Sequence, residues 1–150
     1  MIVFFWWFFY SIVASYAQFF FVSYDFFLPG LILCLQHRNW HQIVFLLLVW
    51  TIIGEGCHRL VFGSVFLSYL GALAFFFIGS RLLESQNTLF VFFLALACAI
   101  WQWTALFLQA RLQGIHFSYS LHIIATQFLI TMGGWLLSSA FYRRIRHGAA

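Results

Sequence analysis

The chain is 150 residues long, 65% hydrophobic and 23% aromatic, and only 7% of it is charged: seven arginines, three acids and no lysine. A mean hydropathy of +0.98 and a charge content far below the roughly 25% of a soluble domain exclude soluble, disordered, fibrous and nucleic-acid-binding readings. The net charge of +4 is no polybasic groove, because three arginines lie in the last eight residues, and what remains is one integral membrane domain over residues 1–150.

The first apolar run, Ile2 to Val22, is dense in Phe and Trp. It reads as an uncleaved span with Trp6 and Trp7 near one interface and Tyr24 near the other. Asp25 marks the first turn. A short run from Phe26 to Gln36 contains Pro29-Gly30, and a polar turn from His37 to Gln42 follows. A second short run, Ile43 to Ile53, ends at Gly54-Glu55-Gly56-Cys57-His58-Arg59. Leu60 to Ser80 is apolar and punctuated by Gly63, Gly71 and Gly79. Arg81 to Asn87 is a turn, Thr88 to Leu108 a clear span, and Gln109 to Ser120 the longest polar connection. Leu121 to Tyr142 is the last span, and an arginine-rich tail closes the chain.

Runs such as Leu89–Ile100 are apolar at both parities, which rules out the alternation of a β-barrel and predicts an all-α bundle. The two short runs decide the helix count. Eleven residues rise only about 17 Å, against about 30 Å of hydrocarbon. Either flanking residues extend them into short tilted spans, giving six transmembrane helices, or they form a re-entrant hairpin and leave five. The arginines favour both termini in the cytoplasm. With six spans, Arg38, Arg81, Arg143, Arg144 and Arg146 fall inside, and Arg59 and Arg111 fall outside.

Chemistry is sparse. Glu55 stands at the edge of an apolar segment, where a carboxylate must be paired, protonated or wet. Arg59, four residues on, is a favourable helical partner. His37 and His41 share a helical face but have no acidic second shell, so they read as interfacial groups without a metal or haem. Cys34, Cys57 and Cys98 form no framework and read as small buried hydrophobes. No nucleophile, phosphate-loop or metalloprotease motif is present, and neither enzyme activity nor a cofactor is expected. Gly63, Gly71 and Gly79 recur every eight residues and return to nearly one helical face. Such a stripe permits close approach, either by a partner or by another helix of the same chain.

The order of these features resembles the bacterial rod-shape-determining protein MreD family. The resemblance rests on Tyr24-Asp25 opening the second apolar segment and on the basic turn His37-Arg38. It also rests on an acid at the end of the third helix, Glu55, with Gly63 eight residues later, and on the tail Arg143-Arg144-Ile145-Arg146. The family usually has Pro before the first acid, Asp in place of Glu55, and a glycine-serine turn where Cys57-His58-Arg59 stands. The resemblance implies a non-enzymatic scaffold of the cell-elongation machinery in the bacterial inner membrane. Its partners would be a bitopic MreC-like protein and, through it, MreB and the peptidoglycan synthases. The fold would also be similar to the substrate-binding components of energy-coupling-factor transporters. That keeps a small-molecule-binding transport component as the alternative, with Gln18, Glu55, Gln102 and Gln127 as its few polar groups. A quinone- or haem-associated electron-transfer subunit is the third reading.

Overall fold

A computed structural model describes residues 2–21, 23–37, 39–57, 63–114 and 121–148. Among the described residues six helices follow in chain order: α1 (Ile2–Phe20), α2 (Leu28–Gln36), α3 (Trp40–Cys57), α4 (Ser64–Gly79), α5 (Thr88–Leu112) and α6 (Leu121–Gly148). The described residues contain no strand. Three helices, α1, α5 and α6, are long and apolar enough to cross a membrane.

The two short runs resolve differently. The Ile43–Ile53 run gains residues at both ends and becomes the 18-residue α3. The Phe26–Gln36 run contracts to the nine residues of α2, about 13 Å of helix, too short to cross alone. Pro29 stands in the first turn of α2, where its missing N–H costs no helical bond. Every residue from Leu28 to Leu35 is buried, and α2 packs chiefly on α6 and also on α3 and α4.

Glycines set the distance on two sides of α2. A Cβ at Gly134 of α6 would lie 2.8 Å from the Pro29 ring, and one at Gly30 would strike the Tyr10 ring of α1. Phe27 stacks on Trp50 of α3 with ring centroids 5.5 Å apart, and Trp50 also lies 6.0 Å from Trp7. Trp7 is only 4% exposed. It therefore belongs to this aromatic core. The opposite face of α1 does carry exposed bulk: Phe4, Phe5, Phe8, Phe9, Phe19 and Phe20 all point outward.

α4 packs most extensively on α5, and α2 on α6. α5 begins with Asn87 accepting the Leu89 N–H at 3.0 Å, a side-chain N-cap. Arg111 in its last turn sits at the negative end of the helix dipole and over the Phe107 ring, 5.4 Å from its centroid.

Candidate functional site: a buried polar knot at Asp25

The first turn of the chain is an interior feature. Asp25 is 5% exposed, and its Oδ1 accepts the backbone N–H of Phe27 at 2.9 Å and of Leu28 at 3.3 Å. The carboxylate thus receives donors that open α2 and meets the positive end of that helix. Tyr69 of α4 points its hydroxyl at the same oxygen, at 3.5 Å.

Two glutamines hold the backbone of the turn. Gln127 of α6 accepts the Asp25 N–H at 2.9 Å and donates its amide to the Asp25 carbonyl at 3.1 Å. Gln127 is fixed by Thr131, one turn along, through a 3.2 Å bond. Gln18 of α1 accepts the Phe26 N–H at 3.1 Å. Tyr10 completes the knot: its hydroxyl donates to the Phe26 carbonyl and accepts from the Gly30 N–H, both at 2.9 Å. Residues of α1, α4 and α6 therefore converge on the segment that begins α2. Buried backbone groups with no helical partner are costly, and here side chains supply the partners.

Glu55 does similar work elsewhere. Its Oε2 accepts the Gly63 N–H at 3.0 Å. Its Oε1 accepts the N–H groups of Val65 at 2.8 Å and Phe66 at 3.3 Å. The end of α3 thereby caps the start of α4. Gly63 is the N-cap with φ +99°, a left-handed conformation that glycine adopts without strain. The eight-residue interval between Glu55 and Gly63 is the reach of this cap. Arg59, expected as the partner of Glu55, lies outside the described residues, as does Arg38.

The glycine stripe faces inward. A Cβ at Gly71 would run into the Trp101 indole of α5, and one at Gly79 would lie 2.8 Å from Phe90 of the same helix. Gly71 and Gly79 therefore let α4 approach α5, while Gly63 stands at the turn before them. Arg143 and Arg144 are exposed on the last turns of α6, and the Arg146 side chain lies outside the described set. His37 lies edge-on to Tyr142 at 4.4 Å, with Nδ1 2.8 Å from the Leu33 carbonyl.

Among the described residues no group of three His, Cys, Asp or Glu is placed to hold a metal ion. A cavity of about 960 Å³ is an open groove between α1 and α3 lined almost wholly by apolar side chains such as Phe4, Phe8, Ile12 and Phe45. A much smaller polar cavity borders Asp25. Of the sequence-level candidates, Gln18 and Gln127 meet at Asp25, Gln102 lies nearby in the small cavity, and Glu55 stands apart. Tyr10, Tyr69 and Thr131 carry no pattern that marks them among so many apolar neighbours. Compared with family models, curated proteins and solved structures, the chain matches none.

Proposed function

We infer that the chain is a non-enzymatic membrane scaffold of the MreD type. It would sit in the bacterial inner membrane with its six helices embedded and both termini cytoplasmic, and bind a single-span MreC-like protein linked to MreB and peptidoglycan synthesis. One observation carries the reading: the polar side chains at Asp25 and Glu55 are engaged with the chain's own backbone. A binder of a small polar molecule needs several polar groups turned into a roomy pocket, whereas here the roomy cavity is apolar and open. The interval from Glu55 to Gly63, on which the resemblance partly rests, has a physical use as a helix cap, and this adds support.

The test is co-purification from the native membrane together with cell shape. The full chain should recover a single-span partner at a stable ratio, and its depletion should turn rods into spheres. Recovery of the chain without any such partner, with cell shape unchanged on depletion, rejects the scaffold reading. Stoichiometric recovery of a vitamin-like ligand would install the transport reading in its place.

A further inference from the structure

The small cavity beside Asp25 contains two polar atoms that the fold leaves unserved. Ser64 Oγ and Gln109 Oε1 are both buried and have no hydrogen-bond partner among the described residues, and both residues line the cavity. Ser64 is 5% exposed, as is Asp25, and Gln102 on the same wall is 8% exposed. Ser68 is committed locally, donating to the Ser64 carbonyl at 3.1 Å. A buried hydroxyl or amide oxygen without a partner is costly, so two of them around one void call for an occupant. The void measures about 10 Å³, close to the space one water needs.

We propose that this cavity is a binding site for one ordered water that bridges Ser64 and Gln109 beside the Asp25 carboxylate. The donor and acceptor arithmetic selects a neutral dipole. Gln109 Oε1 requires a donor, and Ser64 Oγ can both give and take a proton. One water can donate to the amide oxygen and accept from the hydroxyl. A cation would have to compete with the Phe27 and Leu28 N–H groups for the Asp25 carboxylate. The water joins α4 to α5 in the region where Asp25 begins α2, independently of whether the chain acts as a scaffold.

The experiment is a double-variant cycle on the full chain in detergent, read as thermal unfolding. If a water bridges the two groups, Ser64→Ala and Gln109→Leu each lower the melting temperature by about 2–4 °C, and the double variant loses clearly less than the sum. If the hydroxyl is a true orphan, Ser64→Ala leaves the melting temperature unchanged or raises it, and the proposal falls. Simple addition of the two losses also overturns it. Replacing sodium by choline in the buffer forms the second arm, with no change expected in the unmodified chain. A sodium-specific stabilisation that Ser64→Ala abolishes would assign the site to a cation and defeat the water. Should the variants fail to fold, a structure of the unmodified protein at water-resolving resolution decides. Density within hydrogen-bonding distance of Ser64 Oγ and Gln109 Oε1 supports the site, and a dry cavity overturns it.

Discussion

Two of the shorter helices, α2 and α4, begin on a carboxylate, and the two beginnings sit in different surroundings. At α2 the acid is Asp25, two residues before the N-cap, buried among side chains drawn from α1, α4 and α6. At α4 the acid is Glu55, which reaches across from the end of α3, is only half-buried and accepts backbone N–H groups of the next helix start. Both serve N–H groups that a helix start cannot satisfy itself. The difference is what surrounds the acid: a network with several partners at Asp25, a single cap at Glu55. Loss of the acid should therefore damage the first site far more than the second.

Asp25→Ala tests the larger effect. It strands the Phe27 and Leu28 N–H groups and removes the acceptor facing Tyr69, at a site only 5% exposed. A loss of about 3 kcal/mol or more is expected from several stranded buried groups, read as a collapse of the monodisperse fraction after detergent extraction. Asp25→Asn keeps an oxygen acceptor and should retain part of that fraction. If Asp25→Ala extracts and melts like the unmodified chain, the knot does not hold the fold together.

Much of this architecture is visible in the residue order. The run lengths place all six helices, and Asn87-Thr88 marks the start of α5 in the expected place. The depth of Asp25 is less visible. An acid between two apolar runs reads as a surface turn, because the residues that bury it, Tyr10, Tyr69 and Gln127, are distant in sequence and fit ordinary helical patterns. The packing of Trp7 is hidden for a related reason, since an indole among so many aromatic neighbours does not stand out until Trp50 is brought against it. The Glu55–Gly63 interval is legible as a spacing, and only the backbone geometry turns the spacing into a cap.

Glu55→Ala should cost less than Asp25→Ala, about 1–2 kcal/mol, the usual range for a lost helix cap. Glu55→Gln, which keeps one acceptor oxygen, should fall between Glu55→Ala and the unmodified chain. The measurement is the same melting curve, with amide exchange at Val65 and Phe66 as the local probe. Faster exchange there without a change at Phe27 and Leu28 would confirm that the two helix starts are separate. Matching losses for Glu55→Ala and Asp25→Ala would erase the proposed contrast between network and single cap.

Gly63 offers the smallest effect and the finest test. Its φ of +99° lies where a side chain is strained, yet a Cβ there would meet nothing within 4 Å. No clash adds to the cost of Gly63→Ala, about 1 kcal/mol, the low end for a side chain in that region. That cost comes from the left-handed backbone and from the weakening of the Glu55 cap that depends on it. Gly63→Asn should cost less, because asparagine tolerates the left-handed region better. The Glu55 cap depends on this backbone conformation, since its Oε2 holds the Gly63 N–H at 3.0 Å. Alanine at Gly63 would weaken the same contact that alanine at Glu55 removes. The double variant Glu55→Ala/Gly63→Ala should then lose less melting temperature than the two single losses combined. Fully additive losses would mean that the left-handed turn and the carboxylate act independently, and the eight-residue interval between them would have no role as a cap.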